Sequence, residues 1–348
     1  MKKSNFVHDR IKYLKPYTIP PVSEGEIKLD AQENPYPLPE EIKKKISGIL
    51  TEIELNRYPQ IYLKNLKKLL SNYAGVSEDN ILIGNGSDEL ILLILIACGG
   101  PGKIVTCPYP AFSMYRILSE LMGSKFVEIS LDEEFSLPVG KILSTNPDII
   151  FLTRPNNPTG NIFSKKNVKR IVKNSSGLVI VDEAYFEFCG DTMVKEIKDF
   201  PNLIILRTFS KAFSLAGIRA GYLITQKNLA KELRKVQLPY NISVINQKIL
   251  EIIMKNKDSV LKSVEKLVSS REKLYKELKK IKGVTPYKSK ANFILIRIDD
   301  IDSVMDILKK KNIKVRRFKS PGLEDYLRVT VGTEEENKNF IDAIKEGL

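Results

Sequence analysis

Polar and ionisable side chains follow four short apolar segments of this 348-residue sequence, at the points where strands are predicted to end. Residues 84–89 follow the first segment, 154–160 the second, 182–185 the third and 207–211 the fourth. Because ligands of parallel α/β sheets bind beyond the carboxyl ends of the strands, we expect these residues to surround one crevice. The crevice would hold asparagine, aspartate, tyrosine, serine and lysine side chains.

Three of these positions have both a chemical and a purely structural interpretation. Gly86 and Ser87 can open a helix whose free N–H groups bind phosphate, or they form a tight turn with an N-cap. Asp182 directly follows three apolar residues and either needs a cation, a protonated heterocyclic nitrogen or a nearby arginine, or takes up a proton. Lys211 lies between a predicted strand and a predicted helix. Its chemical interpretation is a reactive amine, and its structural interpretation is a surface residue.

The apolar segments alternate with helical patterns from about residue 78 to 225, which predicts a mainly parallel sheet with helices on both faces. Continuous apolar runs suit strands that are buried on both faces. The predicted strands are 81–83, 103–107, 125–129, 148–153, 178–181, 203–206 and 219–225, and helices are predicted from 87 onward, at 112–122 and at 165–174. The fold class is therefore α/β.

The pattern changes after residue 238. Helices are predicted at 243–256, 258–282, 301–311 and 334–346, with strands at 292–296, 314–317 and 326–331. We expect a large domain at 29–238 and a smaller α+β domain at 239–348. Residues 1–28 would form an irregular arm that joins the small domain.

Composition argues against several classes of protein. With 43% apolar and 28% charged residues, the chain is globular rather than disordered. No apolar run reaches the ~20 residues of a membrane helix, and no signal peptide is predicted. A single histidine, His8, and three cysteines without a CxxC pair give little support to a metal site or a Ser-His-Asp hydrolase. The same cysteine usage favours a cytoplasmic protein.

The net charge of +14 is concentrated in one region. Residues 251–290 carry 12 Lys and Arg against 5 Asp and Glu, and their leucines recur at helical spacing. This pattern is typical of an amphipathic helix with a solvated, lysine-rich face. The sequence has no zinc-finger spacing, RNP-like motif or basic low-complexity tail, so no nucleic-acid partner is predicted.

Four motifs are similar to those of the fold-type I, pyridoxal-phosphate-dependent aminotransferases. They are NPTG at 157–160, DEAY at 182–185, SK at 210–211 and GIRAGY at 217–222, with Asn157, Asp182 and Lys211 spaced 25 and 29 residues apart. More closely, the sequence resembles the histidinol-phosphate aminotransferase family at 29–35, 56–59, 84–89, 207–222 and 326–333. The resemblance runs from about residue 10 to the last residue.

The resemblance implies that the crevice binds pyridoxal 5'-phosphate, a cofactor that acts as an electron sink. Lys211 would hold the cofactor as a Schiff base and later act as the acid–base group. Asp182 would pair with the ring nitrogen, and Tyr185 with Asn157 would bind the 3'-oxygen. The other implied cofactor residues are Gly86, Ser87, Ser210 and Arg219 at the phosphate, Asp88 beside them, Phe112 against the ring (with Tyr109 as the second candidate), and the partner subunit's Tyr58.

The resemblance also implies a substrate site. Arg328 and Arg316 resemble arginines that bind the substrate's carboxylate or phosphate, since a guanidinium fork suits either anion. Asn157 would contact substrate as well as cofactor, and Tyr17 resembles a tyrosine of the arm that closes over the substrate. With Tyr58 crossing between subunits, the active sites would be shared in a homodimer.

The implied reaction is transamination of L-histidinol phosphate with 2-oxoglutarate, giving imidazole acetol phosphate and L-glutamate in histidine biosynthesis, with ping-pong kinetics. Three features depart from the family. Gln32 stands where asparagine is usual, Arg154 stands where asparagine or serine is commoner, and the loop between Arg316 and Arg328 is short. The alternatives are a threonine-phosphate decarboxylase, a broader aromatic aminotransferase, or a non-catalytic protein that binds cofactor or nucleic acid.

Overall fold

The computed structural model describes residues 6–12, 14, 16, 23–61 and 63–348. In chain order the strands are β1 (Ile27–Lys28), β2 (Ile81–Gly84), β3 (Ile104–Tyr109), β4 (Lys125–Ser130), β5 (Ile149–Thr153), β6 (Leu178–Asp182), β7 (Leu203–Thr208), β8 (Gly221–Ile224), β9 (Val284–Pro286), β10 (Phe293–Ile298), β11 (Ile313–Lys314), β12 (Arg316–Arg317) and β13 (Tyr326–Thr330). The helices are α1 (Asp9–Lys12), α2 (Glu40–Leu50), α3 (Lys64–Ala74), α4 (Ser87–Cys98), α5 (Met114–Leu121), α6 (Val139–Ser144), α7 (Lys165–Asn174), α8 (Lys227–Arg234), α9 (Val244–Lys255), α10 (Lys257–Leu278), α11 (Ile301–Lys310) and α12 (Glu334–Gly347).

Seven strands form the main sheet, in the order β2-β8-β7-β6-β5-β3-β4. Strands β3 to β7 pair in parallel, whereas β8 is antiparallel to both of its neighbours. Two antiparallel pairings in succession make β2 run in the same direction as β7. The carboxyl end of β2 therefore reaches the same edge of the sheet as those of β5, β6 and β7. The predicted α/β fold with a mainly parallel sheet is confirmed.

Helices cover both faces of this sheet, because successive side chains of a strand point to opposite faces. Ile150 and Leu152 of β5 belong to one hydrophobic core, and Ile149 and Phe151 belong to the other. Helices α4, α5 and α8 contribute to the second core, and α6, α7, α9 and α10 contribute to the first. Continuous apolar runs are thus explained by burial on both faces.

The C-terminal part contains a four-stranded antiparallel sheet in the order β12-β13-β10-β9. A separate parallel pair joins β1 to β11, which attaches the segment near residue 27 to the C-terminal part. Phe293 and Phe340 of this part belong to the same core as β5 and β6, so one hydrophobic core runs through both parts. The domain boundary at 238/239 stays a prediction.

Two predicted elements differ from the structure. The helix predicted to reach 282 ends at Leu278, and the chain then turns through Gly283, whose φ of 81° is left-handed. The strand predicted at 314–317 is two short strands, β11 and β12, which pair with different partners. The predicted arm includes α1 and β1, and Tyr17 lies outside the described residues. No helix of the described part is long and apolar enough to cross a membrane.

Candidate active site

A cavity of about 330 Å³ opens at the carboxyl edge of the main sheet. Thr153, Asp182 and Thr208, which end β5, β6 and β7, all line it. The sequence-predicted residues that line the cavity are Ser87, Asp88, Phe112, Asn157, Asp182, Tyr185, Ser210, Lys211 and Arg219. The expectation that the strand ends converge on one crevice is therefore confirmed.

Asp182 lies at one side of the cavity and is buried, with 3% of the residue exposed. Its Oδ2 accepts a hydrogen bond of 2.6 Å from the Tyr115 hydroxyl, and its Oδ1 accepts one of 3.0 Å from the Ala184 N–H. Both donors are uncharged. The arginine that the sequence analysis considered as a partner of Asp182 is therefore not among its hydrogen-bond donors. Burial raises the pKa of Asp182 to about 6, and the two hydrogen bonds oppose that rise. A cationic ligand nitrogen would suit this carboxylate.

Lys211 follows β7 and lines the same cavity. Its Nζ donates a hydrogen bond of 2.8 Å to the Ala31 carbonyl oxygen. Burial, together with the nearby charge of Arg328, lowers the pKa of Lys211 to about 8. More of this amine is therefore uncharged near neutral pH than of an ordinary lysine, and the uncharged form is the one that attacks a carbonyl group.

A chain of hydrogen bonds links Arg328 to Tyr185 through Asn157. The Arg328 Nη1 donates to Asn157 Oδ1 at 2.6 Å, and Asn157 Nδ2 donates to the Tyr185 hydroxyl at 3.1 Å. The Tyr185 hydroxyl in turn lies 3.5 Å from Gln32 Oε1. Arg328 Nη2 also donates to the Asp30 carbonyl oxygen at 2.7 Å. Burial raises the pKa of Tyr185, so its phenol remains a hydrogen-bond donor at neutral pH.

A cationic turn forms the other end of the cavity. Arg219 Nη1 donates to Ser210 Oγ at 3.3 Å, and Arg219 Nη2 pairs with Asp88 Oδ2 at 3.0 Å. Gly86, with a φ of 88°, precedes Ser87, which is the first residue of α4 rather than the predicted N-cap. Glycine tolerates this left-handed conformation, and the helix N-terminus together with Arg219 suits an anion.

Gly221 of β8 packs closely against the backbone of this turn. A Cβ at that position would lie 2.8 Å from the Arg207 carbonyl oxygen and 2.9 Å from the Ser87 nitrogen, both backbone atoms. We therefore expect Gly221→Ala to displace the turn and to lower the free energy of unfolding by about 1–3 kcal/mol in a urea titration. Gly48→Ala is the control, since a Cβ there meets open space within α2 and should not destabilise the chain. Equal stability of the two variants would contradict this account.

Gly86 and Arg328 do not line the cavity but adjoin Ser87 and Asn157, which do, and three other predicted residues lie away from the cavity wall. Arg316 is exposed and faces Arg328 across the β12–β13 pair, so the two side chains share one face of that sheet. Tyr58 is 81% exposed and stacks on Tyr240 with ring centroids 4.5 Å apart. Tyr109 donates to the Pro321 carbonyl oxygen at 2.9 Å, whereas Phe112 lines the cavity.

Several residues of the site were not selected from the sequence. Thr153, Thr208 and Glu33 line the cavity, and Tyr115 binds the Asp182 carboxylate. Strand-end position could have found the two threonines, since they are the last residues of their strands. Tyr115 lies within an amphipathic helix, where the sequence pattern indicates only packing.

Comparison with known proteins decides the family. A model of the aminotransferases of class I and II matches residues 24–344. The chain belongs to this family. Curated histidinol-phosphate aminotransferases from Thermoanaerobacter pseudethanolicus and Clostridium novyi are each 41% identical to this aminotransferase. The first match covers 99% of both chains, and the second covers 96% of this chain and 95% of the relative.

Solved structures agree with the fold of this aminotransferase. The histidinol-phosphate aminotransferase from Clostridium acetobutylicum superposes with a TM-score of 0.84 at 29% identity, covering 92% of this chain and 98% of that one. The enzyme from Sinorhizobium meliloti, solved in complex with pyridoxal-5'-phosphate, gives 0.85 at 22% identity, covering 92% and 90%. At that identity the second comparison supports the fold alone.

Proposed function

We propose that this aminotransferase transfers the amino group of L-histidinol phosphate to 2-oxoglutarate, with pyridoxal 5'-phosphate as cofactor. The products would be imidazole acetol phosphate and L-glutamate, a step of histidine biosynthesis. The observation that carries the reaction class is the cavity in which Asp182, Lys211 and Arg219 meet. The substrate assignment follows the relatives that match nearly the whole chain and bear the name of this activity.

The described residues fit this cofactor. When bound, pyridoxal 5'-phosphate supplies an electron sink for negative charge that develops on a substrate carbon. Arg219, Ser210 and the N-terminus of α4 offer a site for its phosphate, since a guanidinium, a hydroxyl and helix N–H groups all suit that anion. Asp182, buried with two neutral donors, offers a carboxylate for the ring nitrogen.

Lys211 would provide both the attachment point and the proton transfer. Its amine, with a lowered pKa, reacts with an aldehyde at neutral pH. Once free, the same amine would take the proton from the substrate's α-carbon and, as the acid, deliver it to the cofactor's C4' atom. Asn157 and Tyr185 would hold the 3'-oxygen of the ring, and Phe112 would lie against its face.

Arg328 would bind the anionic group of each substrate. Its guanidinium is buried and already oriented by Asn157 and the Asp30 carbonyl, so little further ordering is needed. Arg316, on the same face, and Tyr17 of the arm would complete the substrate site.

A donor panel tests the assignment of substrate. The purified chain is incubated with pyridoxal 5'-phosphate, 2-oxoglutarate and one donor at a time: histidinol phosphate, phenylalanine, tyrosine or phosphothreonine. We expect the highest kcat/KM with histidinol phosphate, with one glutamate formed per donor consumed. A higher value with phenylalanine or tyrosine would indicate the broader aromatic aminotransferase. Carbon dioxide release from phosphothreonine without any oxo acid would indicate the decarboxylase.

We further propose that the chain works as a homodimer with shared active sites. Exposed apolar side chains cluster in sequence at 55–61 and 236–240, and they include Leu55 at 70% and Leu238 at 72% exposure. The stacked pair of Tyr58 and Tyr240 connects these two segments. Apolar exposure of this kind marks a protein interface, and a second copy would bring its own Tyr58 to a cavity that this chain's Tyr58 does not line.

Mixed dimers test the shared site. Lys211→Ala and Tyr58→Ala chains are unfolded, mixed in equal amounts and refolded together. Random pairing makes half of the dimers mixed, and each mixed dimer contains one intact site, so we expect about a quarter of wild-type activity. Mixing Lys211→Ala with Asp182→Asn is the control, since both positions line one chain's cavity and no intact site can form. Activity no higher than the average of the two parents would contradict shared sites.

The proposed location is the cytoplasm. Cys98, Cys107 and Cys189 are all unpaired thiols, and that compartment keeps thiols reduced.

A further inference from the structure

Tyr115 lies directly behind the carboxyl group of Asp182, in a position that the cofactor would not touch. Its side chain belongs to α5 and is fully buried. The phenol donates to Asp182 Oδ2 at 2.6 Å, and its oxygen lies 2.9 Å from Thr153 Oγ1. Because the phenol has one hydrogen and gives it to Asp182, the Thr153 hydroxyl donates to the phenol oxygen. Two hydrogen bonds thus run in one direction, from Thr153 to Tyr115 and from Tyr115 to Asp182.

Aromatic packing fixes the position of the Tyr115 ring. The ring stacks on Phe151, with centroids 4.5 Å apart and planes inclined by 5°. On another side it meets the edge of Phe112 at 5.5 Å and 87°. Phe112 itself lines the cavity. One buried side chain therefore contacts both the carboxylate expected at the cofactor's ring nitrogen and the aromatic ring expected at its face.

We propose that Tyr115 is a positioning residue that fixes the orientation of the Asp182 carboxylate and keeps it ionised for the cofactor's ring nitrogen. This inference rests on the proposed function, because it requires pyridoxal 5'-phosphate in the cavity. Tyr115 acts only through Asp182 and Phe112.

The charges around Asp182 explain why such a residue is needed. The negative charges of Asp88 on α4 and of Glu183, the next residue in the chain, both disfavour a charge on Asp182. Burial acts in the same direction and is the largest cause of the raised pKa of Asp182. The hydrogen bonds from Tyr115 and from the Ala184 N–H oppose these effects, and Tyr115 is the side chain among them. Without its hydroxyl, the pKa of Asp182 rises further and the carboxylate is neutral at a higher pH.

Cofactor affinity measured as a function of pH tests the proposal. The full-length chain is freed of cofactor, and its Kd for pyridoxal 5'-phosphate is measured by fluorescence titration between pH 5.5 and 8.5. A neutral Asp182 cannot pair with a protonated ring nitrogen, so affinity falls on the acid side. For Tyr115→Phe, which keeps the ring and removes the hydroxyl, we expect about a tenfold higher Kd near pH 6.5. The difference in Kd between this variant and the wild-type chain should shrink towards pH 8.5, because the variant shifts only the acidic range in which Asp182 is neutral and affinity falls.

Three further variants separate positioning from simple packing. Tyr73→Phe is the matched control: it removes a phenol that binds another carboxylate, Glu187 at 3.2 Å, and should leave the profile unchanged. In an Asp182→Asn background, Tyr115→Phe should change Kd by less than about twofold, since the charged acceptor is gone. Thr153→Val leaves Tyr115 in place but removes the hydroxyl that donates to the Tyr115 phenol. It should raise the pH at which cofactor affinity falls, as Tyr115→Phe does, but by a smaller amount. It carries the test if Tyr115→Phe does not fold, as judged by circular dichroism.

The outcomes distinguish the two proposals. An unchanged Kd for Tyr115→Phe, a loss equal at every pH, or an undiminished loss in the Asp182→Asn background would overturn the role of Tyr115. Failure of the wild-type chain to bind pyridoxal 5'-phosphate would instead overturn the proposed function.

Discussion

Replacing Lys211 with alanine is expected to lower kcat for amino-group transfer by a factor of at least about 10³. The variant loses the amine that we propose both attaches the cofactor and acts as the acid–base group at the substrate's α-carbon. Two measurements check this: kcat with histidinol phosphate and 2-oxoglutarate, and the mass of the protein after borohydride reduction in the presence of pyridoxal 5'-phosphate. The wild-type chain should carry one covalent adduct and the variant none.

Lys67 provides the matched control for this experiment. Burial lowers its pKa to about 8 as well, but Lys67 lies on α3 and does not line the cavity. We expect Lys67→Ala to retain both turnover and the adduct, which shows that an uncharged amine is not sufficient without the surrounding site. A Lys211→Ala chain that still forms the adduct would place the attachment elsewhere and contradict the proposed role.

Asp182→Asn is expected to lower kcat by a factor of about 10² to 10³. Removing one member of a buried charge pair costs about 3–5 kcal/mol, and part of that energy appears in the barrier. An amide cannot hold positive charge on the cofactor's ring nitrogen, so the electron sink is weakened while the shape of the site is retained. Steady-state kinetics with saturating cofactor measures this effect separately from any loss of cofactor affinity.

Asp148→Asn is the control for Asp182→Asn. Asp148 precedes β5 and pairs with Lys103 at 2.8 Å, at the opposite edge of the same sheet. Its loss should leave kcat within about twofold, since surface ion pairs contribute little and no reacting group is near. If Asp182→Asn kept kcat within the same range, the ring nitrogen would not depend on this carboxylate.

The parts of the fold that sequence patterns predict best are those with the strongest physical constraints. Strands β5, β6 and β7 are continuous apolar runs because both of their faces are buried, and each is followed by polar residues that line the cavity. The direction of β8 was not predictable in the same way. A short apolar run indicates burial but carries no information on whether its neighbours are parallel or antiparallel.

The residues of the site also divide into those that the sequence predicts and those that it does not. Motifs predicted Asp182, Asn157 and Lys211 because their side chains have distinctive chemistry at strand ends. The partners of these residues were harder to find from sequence. The Ala31 carbonyl that binds Lys211 is a backbone atom with no residue preference, and the hydroxyl of Tyr115 meets a carboxylate 67 positions further along the chain. Such contacts become visible only when the fold brings distant segments together.

The hydrogen bond between Arg328 and the Asp30 carbonyl joins residues that are 298 positions apart. Ribosomes add about 5–20 residues per second, so a nascent chain carries Asp30 for at least about 15 s before Arg328 has been made. Asp182 and Lys211 are made part-way through that interval, and until Arg328 follows, its hydrogen bond to Asn157 cannot form. Complete assembly of the pocket is therefore a late event in biogenesis, and an unfinished chain cannot present the arginine that we propose binds the substrate anions.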